Sequence, residues 1–152
     1  SASDSETASP YTVSLGSLSA GSVTTATDKI WIDLGTNAEN GGFVYIYDAY
    51  AGLKSTNVNY TISSSSTNLT GATEGYGLQV ASTSNLTAVA PYDGSSENVG
   101  VIDGTIRTIL SSGNVPVSSG RSSINVKAKS ATQTPEANDY VDTLTIIATG
   151  SF

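Results

Sequence analysis

The chain contains no cysteine, no methionine and no histidine. Without Cys there is no disulfide staple, and without Cys and Met the side chains most prone to oxidation are gone. Without His and Cys, neither a Ser-His-Asp nor a Cys-His nucleophile system can be built, and zinc and copper lose their usual ligands. Charge is scarce too: 6 Lys and Arg stand against 13 Asp and Glu, a net charge of −7. Nucleic acids and anionic membrane surfaces both call for basic patches, so this balance argues against either partner. No apolar run approaches the roughly 20 residues that cross a bilayer as a helix. No phosphate-binding glycine loop occurs; Gly75 and Gly77 begin a GxGxxG spacing, but position 80 is Val.

What is present is a strand vocabulary. Val, Ile and Thr number 42 against 9 Leu, and Ser with Thr number 45. Branched residues favour pleated strands, and hydroxyls in place of charges cover their solvent faces. At 152 residues the chain suffices for one domain with its own core. The acidity keeps an exported protein soluble. The opening Ser-Ala-Ser-Asp, without an initiator Met, is what a mature chain shows after its secretion signal is removed. We therefore expect an extracellular, cell-surface location.

The richest stretch is Lys29 to Tyr50, with the only Trp, one of two Phe and three of eight Tyr. Ile30, Ile32 and Leu34 share one face of a first strand, with Trp31 and Asp33 on the other. Asn40-Gly41-Gly42 tolerates positive φ, and Phe43 to Tyr47 forms a second strand. The pattern predicts a hairpin at the centre of the core. Other expected strands are Tyr11–Leu18, Val23–Thr27, Val58–Ser63, Leu78–Ala81, Val99–Leu110 with a break at Asp103-Gly104, Ser123–Lys129 and Asp139–Thr149. In Ser123–Lys129, Ile124, Val126 and Ala128 point inward and Lys127 and Lys129 outward. In the last strand, Leu144 and Ile146 share a face. Ser63–Thr67 and Ser82–Asn98 read as loops. This spacing predicts an all-β fold: an antiparallel β-sandwich, immunoglobulin-like or jelly-roll-like, of about eight strands. Residues 1–18 form an N-terminal arm and 19–152 the sandwich domain.

Reactive chemistry is thin. Paired carboxylates can hydrolyse glycosides, but Asp28 with Asp33 and Asp139 with Asp142 are each an odd number apart, so neither pair shares a strand face. No enzyme, cofactor or metal is expected. Asp93–Asn98 and Glu136–Asp139 supply loop oxygens without an EF-hand pattern. Asn59, Asn68 and Asn85 each begin an Asn-x-Thr glycosylation acceptor, a pattern that also arises by chance in so Thr-rich a chain. Lys29, Lys127 and Lys129 lie near strand Asn or Asp residues, the pairing an isopeptide cross-link requires, although no motif marks one.

The N-terminal arm is different in kind. Ser1–Ser9 is small and polar, while Tyr11, Val13, Leu15 and then Leu18 supply apolar side chains. Eight residues of strand span roughly 26 Å, about the length of a sandwich. Such a segment either pairs in its own domain or completes the sheet of a neighbouring copy, a contact that propagates head to tail. Ile30, Ile32, Leu34, Leu144 and Ile146 are the candidate walls of an acceptor groove. The alternative is a monomeric adhesion or carbohydrate-binding module that uses Trp31, Tyr45, Tyr47 and Tyr92 as a platform, with Phe43 beside them.

Gly35–Phe43, Thr73–Gln79 and Asp139–Ile146 resemble segments of predicted secreted β-sandwich proteins of uncultured prokaryotes, and the last is similar to the closing strand of bacterial pilins. The architecture resembles donor-strand fibre subunits, including the TasA/camelysin group and archaeal thread or bundling-pilus proteins. The resemblance covers about a sixth of the chain. It implies an extracellular homopolymer of identical subunits, with glycans or neighbouring cell surfaces as further partners, and it transfers no catalytic or metal residue.

Overall fold

The computed structural model describes residues 8–152, and among them there is no helix. Ser1–Thr7, most of the expected polar arm, lies outside the described residues. The strands are β1 (Val23–Thr25), β2 (Ile30–Thr36), β3 (Gly42–Asp48), β4 (Gly52–Ser55), β5 (Tyr60–Ser63), β6 (Thr67–Asn68), β7 (Gly75–Ser84), β8 (Thr87–Ala88), β9 (Asn98–Val99), β10 (Arg107–Ser111), β11 (Val117–Lys129) and β12 (Leu144–Gly150). Among the described residues there are twelve strands, not the expected eight or so. The two-residue pieces β6, β8 and β9 account for most of the surplus, and they lie in or at the ends of stretches that read as loops.

Two antiparallel sheets form the sandwich. In the first, β11 is central, with β7 along one side and β1 and β2 end to end along the other. In the second the order is β12-β3-β10-β8. Between them lies a core that includes Val44 and Ile46 of β3, Leu78 of β7, Ile109 and Leu110 of β10, and Ile124, Val126 and Ala128 of β11. A register shift between Thr108 and Leu110 lets consecutive residues Ile109 and Leu110 both turn inward.

The expected hairpin is an arch. β2 pairs with β11 in one sheet, whereas β3 pairs with β10 and β12 in the other. The glycine turn is present, with Gly41 at φ 80°, but it carries the chain between layers. The apolar faces decide this: Leu34 and Val44 each bury an inward face, and packing face to face removes more apolar area from water than lying side by side.

The Lys127 and Lys129 side chains are buried, not outward as expected. The segments around Leu69 and Ser96 fold over that face of β11. Lys127 Nζ donates to Ser96 O at 2.6 Å and pairs with Glu97 at 2.9 Å, and Lys129 Nζ donates to Leu69 O and Thr70 O. Backbone carbonyls thus supply the polar partners that buried ammonium groups need.

Residues 85–100 close one long side of the sandwich. Val89 N donates to Ile109 O, Val80 N to Tyr92 O, and Leu78 and Gly100 exchange two hydrogen bonds. Tyr92 is 1% exposed, and its hydroxyl donates to Val101 O at 2.6 Å. A side chain at Gly100 would run into the Tyr92 ring. Gly100→Ala is therefore expected to lower unfolding stability by about 1–3 kcal/mol in a denaturant titration, the usual range for overpacking.

Candidate functional site

The opposite long side is open among the described residues. Among the described residues, no strand pairs with the outer edge of β2 or of β12. Between these edges runs a groove of about 1800 Å³, with Ile30 and Ile32 on one wall, Leu144 and Ile146 on the other, and Leu53 and Ile62 among the deeper lining residues. Four of the five expected wall residues, Ile30, Ile32, Leu144 and Ile146, line this space half-buried, whereas Leu34 is buried in the core and is not among its lining residues. At the arch the walls meet, since a Cβ on Gly150 would contact Thr36 and Ala38.

Tyr11–Leu18 lines the same groove but belongs to no sheet. Its apolar alternation predicts a strand, and the segment is not one. Val13, Leu15 and Leu18 pack half-buried against the core, whereas Tyr11 is 75% exposed. The alternation breaks at Gly16, which adopts φ 64° and donates its N–H to the Ser14 hydroxyl. A positive φ turns the chain out of a strand path.

The groove contains a feature that spacing arguments missed. On β3 the inward positions are Gly42, Val44, Ile46 and then Asp48, which is 3% exposed. Across the sheet Asp48 lies in register with Leu144, and Asp142 approaches it from the segment leading into β12. The Tyr76 hydroxyl also lies beside Asp142. The Oδ2 atoms of both Asp48 and Asp142 are buried without a hydrogen-bond partner. Burial pushes the Asp142 carboxyl up to about 6, and the Asp48 charge adds to this, while the Thr143 N–H and Tyr76 pull the other way. The relevant carboxylate pair is therefore Asp48 with Asp142, not Asp139 with Asp142. The period of β3 places Asp48 inward, but nothing in the spacing brings Asp142 to it.

Asp139 works separately, as a clasp. Its carboxylate accepts from the Ser55 hydroxyl, the Thr56 N–H and hydroxyl, and the Asn57 N–H. These bonds, the Ser55 one first, hold it down at about 2. Because its folded value lies below the unfolded one, its contribution is present above the ordinary carboxylate range and is lost as pH falls toward 2. Asp139→Ala is expected to lower the melting temperature and to speed hydrogen exchange at the Thr56 and Asn57 amides. Unchanged exchange at both would contradict the clasp.

The aromatic residues do not form one platform. Trp31 lies on the first sheet, with the Arg121 guanidinium 4.8 Å from its ring centre. Tyr92 is buried. Phe43, Tyr45 and Tyr47 occupy the outer face of the second sheet, where Phe43 and Tyr45 stack at 6.3 Å. Asn59, Asn68 and Asn85 are all exposed. Among the described residues, no group of three or more His, Cys, Asp or Glu is placed to hold a metal. The Lys127 and Lys129 ammonium groups bond to Ser96 O, Glu97, Leu69 O and Thr70 O, not to an Asn or Asp side chain.

Compared with models of known protein families, with curated proteins and with solved structures, the chain gives no match.

Proposed function

We propose that the protein is a structural subunit of an extracellular filament or pilus that grows by strand donation, with Tyr11–Leu18 of one copy filling the groove of the next. One observation carries this reading: among the described residues, a segment with apolar side chains at Tyr11, Val13, Leu15 and Leu18 lies outside the strands while lining a groove between two edges, of β2 and β12, with which no further strand pairs. Edge strands present unpaired N–H and C=O groups, and soluble proteins generally blunt them. A strand from a neighbour satisfies them and buries its alternate side chains at once. Since the donor and the groove are different surfaces of one chain, the contact is head to tail and extends without closing. The absence of disulfides suits a polymer held by long ladders.

Removing Ser1–Leu18 is expected to leave a soluble sandwich that forms no filaments by electron microscopy. Undiminished filaments would rule out donation by this segment.

A second reading, a cell-surface module that binds carbohydrate, draws support from the Phe43–Tyr45 stack and from Tyr47 on the same half-exposed face. It does not rest on Trp31 or Tyr92. Tyr45→Ala should abolish glycan-array signal if that face binds sugar, and an unchanged signal would dismiss the platform.

A further inference from the structure

Resting on the strand-donation reading, we propose that seating the incoming strand is coupled to proton uptake by the Asp48–Asp142 pair, so that the groove is a proton-gated acceptor. Asp48 is fixed inward on β3, whereas Asp142 is only half-buried and lines the groove. An apolar strand in the groove removes water beside Asp142 and disfavours its ionised form. Asp48 Oδ1 accepts from the Ala51 N–H and Asp142 Oδ1 from the Thr143 N–H, but no hydrogen-bond partner reaches either Oδ2, and two ionised carboxylates this close repel. One proton held between them removes the repulsion and satisfies both orphaned Oδ2 atoms. By linkage, whatever favours the proton favours the docked strand, and the reverse.

Among the described residues, the groups acting on Asp142 are Asp48, the Thr143 N–H and the Tyr76 hydroxyl, and none of them is a cation. Behind Asp48, Asp103 is closed on Arg107 at 2.6 Å. Lys54 stands over the Tyr50 ring, and Asp139 is held by the β4–β5 turn. On the far wall are Lys29 and Arg121, the latter paired with Asp33 at 3.5 Å. Tyr76 contributes a hydroxyl but no charge at any ordinary pH, since burial raises it. Among the described residues two carboxyls converge here, too few for a calcium site, which takes six to eight oxygens.

The test is the critical concentration for assembly of the full chain, measured by sedimentation from pH 5 to pH 8. If docking raises the pair's midpoint by one unit, the wild-type value rises by about tenfold across that range. Asp142→Asn stays neutral and offers an amide donor to Asp48, so its curve should be flat at the wild-type pH 5 level. Asp48→Asn should behave alike if the first variant folds poorly, and the exposed-loop change Asp93→Asn should keep the wild-type slope. Filaments with a flat wild-type curve would overturn the coupling while leaving strand donation standing. An Asp142→Asn curve with the full slope would also overturn it. So would calcium, if it lowered the wild-type value at pH 8 but not that of Asp142→Asn, because a divalent cation would then occupy the proton's place. No filaments at any pH would remove strand donation and the coupling together.

Discussion

The double variant Val13→Asp with Leu15→Asp is expected to raise the critical concentration for filament growth by about a hundredfold or more. Each apolar side chain fully buried on docking contributes roughly 1.5–3 kcal/mol, so losing two amounts to about 3–6 kcal/mol, and every 1.4 kcal/mol is about tenfold in affinity. Two carboxylates forced against Ile30, Ile32, Leu144 and Ile146 add a desolvation penalty to that loss. The folded subunit should lose little, because among the described residues Tyr11–Leu18 is not part of a strand and its apolar side chains are at most half-buried. Assembly and melting temperature are therefore expected to part company. A variant that polymerises like the wild type would mean that these side chains do not enter a neighbour.

The converse is expected for Ile46→Ala. Ile46 is 0% exposed, in register with Ile146 on β12 and with Arg107 on β10. Truncating a buried Ile to Ala typically costs about 2–5 kcal/mol, part of it from the cavity left behind. For a domain of this size that lowers the melting temperature by roughly ten degrees. Ile147, the next residue but one to Thr145 on the outer side of β12, is 39% exposed, and Ile147→Ala should change stability by no more than about 0.5 kcal/mol. Equal effects at Ile46 and Ile147 in a denaturant titration would contradict the sidedness of the second sheet.

Residues with a strict period of two were legible in the sequence. Ile124, Val126 and Ala128 point inward as their spacing requires, as do Ile30, Ile32 and Leu34. The break at Asp103-Gly104 is also present, with Asp103 Oδ1 accepting from the Thr105 N–H. Pairing partners were not legible. The Asn40-Gly41-Gly42 turn is compatible with a hairpin or an arch, and the choice is made by β11 and β12, far along the chain. Lys127 and Lys129 show a related limit: β11 is covered on both faces, so alternation no longer separates core from solvent. Asp48 was half legible, since it continues the inward positions of β3, but its partner Asp142 arrives from outside any strand.

Among the described residues, these features describe a sandwich closed along one side and without a further strand along the other. Residues 85–100 cover the β7 and β10 edges, with Tyr92 as a buried anchor. On the open side two edges, an apolar groove and a carboxyl pair lie together. The N-terminal segment there makes half-buried contacts and is not part of any strand among the described residues.

Helical reconstruction of the filament by electron cryomicroscopy would locate Tyr11–Leu18 directly. The segment is expected to run as a strand into the adjacent subunit, between its Ile30–Thr36 and Leu144–Gly150 edges. A filament in which Tyr11–Leu18 stays against its own sandwich, with subunits joined through some other surface, would contradict strand donation.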